Sequence, residues 1–237
     1  MISQELFERF YADPKFNGTE RFFNLVRRNA QPCARVLNLG AGPATKNPTC
    51  SLKGEVAEVV GADIDPAVLA NDELDSAVIV DGKRLPFSDE SFDLVFSDYV
   101  LEHVEHPGIF LSEVHRVLKV GSSFFFRTPN VYHFVAIISR ATPHAFHEAV
   151  ANRIRGLSAD AYDPYPTFYR LNSRTAIREA AAAAGFRTVE LEMVECWPSY
   201  LVFHAVPFLI GVAYERLVNS SETYSGLRAN IFGQLIK

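Results

Sequence analysis

The sequence predicts an α/β fold, with one mainly parallel sheet of seven strands and helices on both of its faces. Three observations predict it. Short runs rich in β-branched and aromatic residues recur along the chain, stretches with helical spacing of apolar residues lie between them, and the first run feeds a glycine turn.

The strands are expected at Arg35 to Leu39, Glu58 to Asp63, Ala77 to Asp81, Phe92 to Ser97 and Ser122 to Arg127, followed by a pair at Arg187 to Val194 and Asn230 to Ile236. Pro66 to Leu74 and Pro107 to Leu118 read as helices, the second with Ile109, Phe110, Val114, Val117 and Leu118 at helical spacing and Gly121 just beyond it. A further helix opens at Ser173, a good N-cap, runs through the strong helix formers Ala180 to Ala184 and stops at Gly185. Residues 128–172 break this rhythm, being long, aromatic and punctuated by Pro129, Pro143, Pro164 and Pro166. A structureless loop of that length is out of place in a compact domain, so the segment reads as an insertion capping the substrate site of a single domain spanning residues 1–237.

The 48% hydrophobic content supplies one substantial core. A net charge of −5 offers no general attraction for phosphates, so no nucleic acid partner is expected. Cys33, Cys50 and Cys196 include no CxxC pair, which argues against a disulfide framework and a structural zinc site. Met1 to Phe10 carries Glu5 and Glu8 and lacks the basic start and apolar core of a signal peptide, so a cytoplasmic location is expected. The longest apolar run, Leu201 to Tyr214, is interrupted by His204 and Pro207 and is too short to span a bilayer, so the stretch Leu201 to Val218 is either a packed helix or an amphipathic contact with a membrane or lipid-linked acceptor. It reads as a helix packed on the sheet or cap, because the lysine and arginine cluster of a membrane-contacting helix is missing.

The first strand runs into Asn38-Leu39-Gly40-Ala41-Gly42-Pro43, where Gly40, Ala41 and Gly42 leave room for a ligand against the backbone. Asp63 closes the second strand, where its carboxylate can accept hydrogen bonds from both hydroxyls of a ribose, with Ile64 beside it; the competing reading makes Asp63 or Asp65 a cap for the turn at Pro66, and Asp65 suits that better. Asp81-Gly82 follows the third strand and either meets an adenine amine or forms a plain surface turn. A nicotinamide enzyme is disfavoured, because its GxGxxG fingerprint would need glycine at Thr45.

Taken in order, Val36 to Gly42, Gly61 to Leu69, Asp81 to Phe87, Ser91 to Val95, Leu101-Glu102-His103-Val104 and Glu113 to Lys119 resemble the class I S-adenosylmethionine-dependent methyltransferases, in particular the methyltransferase type 11 group. The resemblance covers residues 35 to 130 and implies a Rossmann-like fold, S-adenosyl-L-methionine as cofactor and methyl transfer as activity. Thr128 to His133 resembles members associated with bacterial glycans, which implies a small-molecule or glycan acceptor. Two positions depart from the pattern: Asn38 stands where relatives often carry an acid, and Ala44 where many have a third glycine. Asn38 can still orient the turn or a ligand amine through its carbonyl oxygen.

Ligands of such sheets lie beyond the carboxyl ends of the strands, which places Asp98 and Tyr99 after strand four, and Asn130, Tyr132 and His133 after strand five, around the reacting groups. We count Asp98 with the cofactor and Tyr99, Asn130 and Tyr132 with the acceptor. His133 is the first candidate base, against a role tying down the insertion, and His103 beside Glu102 is the second. That pair lacks a third ligand at recognisable spacing, so no metal is expected. Arg127, Arg140, Arg153, Arg155, Arg170, Arg174 and Arg178 make residues 127–178 locally basic, and an anionic acceptor held by Arg170 and Arg174 is the corresponding expectation. The rival to an enzyme is a non-catalytic nucleoside-binding or scaffold protein on the same fold.

Overall fold

The computed structural model describes residues 2–141 and 165–237. Its seven strands are β1 (Arg35–Leu39), β2 (Glu58–Asp63), β3 (Ser76–Ile79), β4 (Phe92–Asp98), β5 (Leu118–Pro129), β6 (Thr188–Val194) and β7 (Asn230–Ile236). They form one sheet in the order β3-β2-β1-β4-β5-β7-β6, parallel except for β7, which runs antiparallel to both β5 and β6. The chain winds outward from β1 to β3 and then returns to β4 on the other side, so the crevice at the carboxyl ends of β1 and β4 is the switch point at which such sheets take ligands.

Central strands covered on both faces read as continuous apolar runs, and here Phe124, Phe125 and Phe126 of β5 are all fully buried. Alternation sends Phe124 and Phe126 into one layer and Phe125 into the other. The first layer is closed by α3 (Pro107–Val117) and α5 (Arg174–Ala184) through Val114, Val117, Ile177 and Ala181. The second is closed by α2 (Gly18–Asn29) through Phe22, Phe23 and Val26. Gly233 of β7 faces Phe126 across the ladder, and a Cβ there would fall 2.0 Å from the ring, so glycine is what lets the phenyl group lie flat against the neighbouring strand.

Helix α5 is built as its sequence implies. Ser173 Oγ accepts the Ala176 N–H, and Gly185 closes the last turn at φ +94°. Pro66 to Leu74 departs from expectation: only Pro66–Ala70 coils, as a 3-10 helix. Asp65 caps its start by accepting from Ala67 N, while Asn71 turns its side chain to Gly42 and to the Glu73 N–H, which ends the coil. The apolar stretch near residue 210 forms α6 (Ala205–Asn219) within the β6–β7 connection. Phe208 and Val212 bury its inner face against Tyr11 of α1 (Gln4–Tyr11). The first part of the insertion is α4 (Phe134–Ala141), its return is residues 165–172, and the expected cap between them lies outside the described residues. Among the described residues, no helix is long and apolar enough to cross a membrane.

Candidate functional site

After β1 the chain does not enter a helix. It turns at Gly40 (φ +81°) and Gly42 (φ +55°), and contacts from the β2 side hold it. Gly40 N donates to Ala62 O at 2.7 Å and Gly42 N to Asp63 Oδ2 at 2.8 Å, while Asn71 Nδ2 donates to Gly42 O at 3.0 Å. A Cβ on Gly40 would strike the Val100 side chain at 2.3 Å, whereas one on Gly42 would meet only Asp63 Oδ2, at 4.0 Å. Gly42 therefore leaves open space beside the backbone, the kind of cradle a ligand fills.

Asp63 uses its other oxygen to accept Asp65 N at 2.8 Å, so its carboxylate joins the β1 turn to the end of β2. Ile64 next to it is 52% exposed, which is unusual for so apolar a side chain, and Gly82 lies against it with a virtual Cβ 3.9 Å from Cγ2. Ile64 and Gly82 thus form a small apolar shelf. Asp81 Oδ1 accepts Lys83 N and Arg84 N at 2.8 and 3.1 Å, and these backbone hydrogen bonds hold its carboxyl below the usual range. The turn role of Asp81-Gly82 is present in this geometry.

A cleft at the end of β1 brings together Asn38, Gly40, Ala41, Thr45, Glu73 and Asp98. Asp98 is fixed by Arg127, its in-register neighbour on β5: Nε and Nη2 reach its two oxygens at 2.6 Å each. The guanidinium lies between the rings of Tyr99 (4.5 Å) and Phe22 (5.5 Å) and donates to Thr19 Oγ1 at 3.1 Å. Tyr99 adopts φ +56° and donates its hydroxyl to Asn230 Oδ1 at 2.9 Å, tying the end of β4 to the start of β7.

Beyond β5 a second group of residues gathers. Asn130 is buried and gives Nδ2 to the carbonyls of Gly226 and Arg228, both at 2.8 Å, while its Oδ1 accepts Tyr132 N. Tyr132 itself is exposed. His133 is buried against Phe134 and Tyr214, with Nε2 3.6 Å from Glu195 Oε2, and burial lowers its pKa to about 4. His103 is more open and its Nδ1 lies 3.1 Å from Pro166 O. A carbonyl only accepts, so Nδ1 carries a proton, and in the neutral imidazole Nε2 is then the nitrogen with the lone pair. Arg170 donates to Glu105 O and Arg174 to Ser225 Oγ at 2.6 Å, so both are engaged within the chain. Arg178 is exposed, and the side chains of Arg140, Arg153 and Arg155 lie outside the described residues. Among the described residues, no group of three His, Cys, Asp or Glu could hold a metal ion.

Sequence reasoning reached Glu102 only as the neighbour of His103 and did not single out Glu195. Burial raises Glu195 to about 8, and raises Glu102, which accepts from Thr128 Oγ1 at 3.2 Å, to about 7. Both groups hold protons that the unfolded chain releases above 4.5, so stability should fall as pH rises from about 4.5 to about 8. His133 opposes this between about 4 and 6.5, because there the unfolded chain binds the proton instead. The steepest loss is expected between 6.5 and 7, where both glutamates act unopposed, at about 1.4 kcal/mol per pH unit for each group. Urea titrations across this range check it, and Glu195→Gln should flatten the part above pH 7.

Residues 37–126 match the family model described as a methyltransferase domain. This stretch, less than half of the chain, is similar to the methyltransferase domains of that family. The ubiquinone biosynthesis O-methyltransferase of Hahella chejuensis is 36% identical over 112 residues, 44% of this chain and 46% of that protein. The malonyl-[acyl-carrier protein] O-methyltransferase of Methylococcus capsulatus is 27% identical over 175 residues, 70% of this chain and 57% of that protein. The chain therefore spans about half the length of these relatives. Among solved structures, Haemonchus contortus phosphoethanolamine N-methyltransferase 2, in complex with phosphomonomethylethanolamine and S-adenosylhomocysteine, superposes with a TM-score of 0.56 at 18% identity over 98% of this chain and 57% of that one. The matched stretch ends near the carboxyl end of β5.

Proposed function

We propose that this chain transfers a methyl group from S-adenosylmethionine to an oxygen of a small-molecule acceptor. The observation that carries the reading is the junction of Gly42 and Asp63 at the switch point of the sheet, with open space beside Gly42 and the exposed Ile64 next to it. These features fit the cofactor: Asp63 for the ribose hydroxyls, Ile64 and Gly82 for the adenine face, Asp81 for its amine, and the cleft of Asn38, Gly40, Ala41 and Asp98 for the amino-acid end.

When bound, the cofactor supplies a methyl group on a sulfonium leaving group. The chain's own task is to hold the acceptor in line and exclude water, and Tyr99, Tyr132 and the returning segment 165–172, which all follow the carboxyl ends of β4 and β5, are the residues we assign to it. A hydroxyl acceptor must also lose a proton. His103 Nε2 suits that task, since Pro166 fixes the proton on Nδ1 and leaves Nε2 able to accept; His133 lies buried against Glu195 and serves better as the tie for α4. Oxygen as the attacked atom follows the two O-methyltransferases above, and their names speak for a quinone precursor or a thioester-linked acid ahead of a glycan. An anionic acceptor would draw on the N–H groups that Arg170 and Arg174 do not spend on Glu105 O and Ser225 Oγ, whereas both sides of the Arg127 fork are taken up by Asp98.

The test is release of S-adenosylhomocysteine in the presence of phenolic quinone precursors, a malonyl thioester and a glycan panel. The reading expects turnover above the acceptor-free rate with an oxygen nucleophile. Tight cofactor binding with no turnover across the panel would favour the non-catalytic alternative.

A further inference from the structure

The loop after β1 forms one wall of the cleft, and little within the loop explains its shape. Three of its residues, Gly40, Gly42 and Lys46, occupy the left-handed region, and at Lys46 (φ +57°) the side chain makes that conformation costly. The chain coils only at Pro48–Cys50, so no α-helix terminus anchors the turn. Ala62, Asp63 and Asn71 hold its near end, and what anchors its far end is Glu73, which lies before β3 and lines the same cleft. Its Oε1 accepts Lys46 N at 2.6 Å and its Oε2 accepts Thr45 N at 3.0 Å, with Thr45 Oγ1 within 3.2 Å of both oxygens.

Glu73 is itself held firmly. Asn71, 8% exposed, accepts Glu73 N through Oδ1 while its Nδ2 grips Gly42 O. Lys53 Nζ donates to the carbonyls on either side, those of Asp72 and Leu74. The carboxylate is thus satisfied by N–H and O–H groups, and among the described residues no salt bridge involves it. The other acid of the cleft, Asp98, is neutralised by Arg127, and the β1 position facing the cleft is the uncharged Asn38. Glu73 is therefore the carboxylate that leaves a net negative charge on this wall.

We propose that Glu73 is the positioning residue for the amino-acid end of the cofactor: it fixes Thr45 and Lys46 at the far end of the loop that walls the cleft and supplies the negative charge that an α-ammonium group requires. This rests on the cofactor reading given above. Two ligands separate it from a general structural role. S-Adenosylhomocysteine carries the amino-acid end, and 5′-methylthioadenosine has the same nucleoside without it.

Titration calorimetry of the wild type and Glu73→Gln with both ligands is the experiment, with thermal melts as the check on folding. The substituted amide would offer a single acceptor oxygen and no charge, so S-adenosylhomocysteine should bind about tenfold more weakly while methylthioadenosine binds as before. Thr45→Val, which removes one donor to the carboxylate, should shift the same ligand in the same direction by a smaller factor. Equal weakening of both ligands, or unchanged affinity for S-adenosylhomocysteine, would overturn the proposal. Failure of the wild type to bind either ligand would instead overturn the cofactor reading, and this assignment with it.

Discussion

Asp98→Ala should cost the fold about 3 kcal/mol, the lower end of what is lost when one member of a buried ion pair is removed. The Arg127 side chain is 6% exposed and that of Asp98 is 24% exposed, so the arginine bears most of the burial. Without its partner the guanidinium would stay enclosed by Phe22 and Tyr99 with Thr19 Oγ1 left to receive one N–H. For a domain of this size that corresponds to a melting temperature lower by roughly 6 to 12 °C. Asp98→Asn should cost less, because the amide oxygen still accepts one bond. A loss below about 0.5 kcal/mol, within the range of an ordinary surface change, would mean that the pair does not organise the ends of β4 and β5. Cofactor affinity should fall with the alanine variant as well, since Asp98 lines the cleft.

Asp63→Ala carries the second large effect, on binding. The carboxylate is the proposed ribose contact, worth about 1 to 3 kcal/mol, or roughly fivefold to 150-fold in affinity for S-adenosylhomocysteine. The same carboxylate accepts Gly42 N and Asp65 N, so its removal also frees the turn that lines the ligand space. Asp65→Ala provides the comparison: it removes only the cap on Ala67 N and should lower stability slightly while leaving affinity close to that of the wild type. Equal affinity for wild type and Asp63→Ala in a calorimetric titration would move the ribose to another residue.

The contrast between these two residues shows what could be read from the chain. The ends of β1, β2 and β7 are those expected, because each is a compact run of apolar residues bounded by turn formers, and Asp63 stands at a strand end for the same reason. The pairing of Asp98 with Arg127 depends on the β4–β5 register, which places them side by side across 29 positions of sequence and is not visible in periodicity. Glu73 was hidden likewise, since nothing local says that a carboxylate before β3 will clamp a loop after β1. Burial of His133 comes from Glu195 and Tyr214 in the β6–β7 connection, a segment whose apolar helix was expected but whose position over the carboxyl edge was not. Helix α2 did leave a signal: Asn17 caps Thr19 and Glu20, and Phe22, Phe23 and Val26 follow at helical spacing.

The central claim is that the crevice between the β1 turn, Asp63 and the Ile64 shelf binds S-adenosylmethionine, and a crystal structure of the protein grown with S-adenosylhomocysteine tests it most directly. The account predicts ribose hydroxyls within hydrogen-bond distance of Asp63, adenine against Ile64 and Gly82, and the amino-acid end in the cleft beside Asn38 and Glu73. A ligand bound elsewhere on the sheet, or no bound ligand at millimolar concentration together with an unchanged melting temperature, would contradict it.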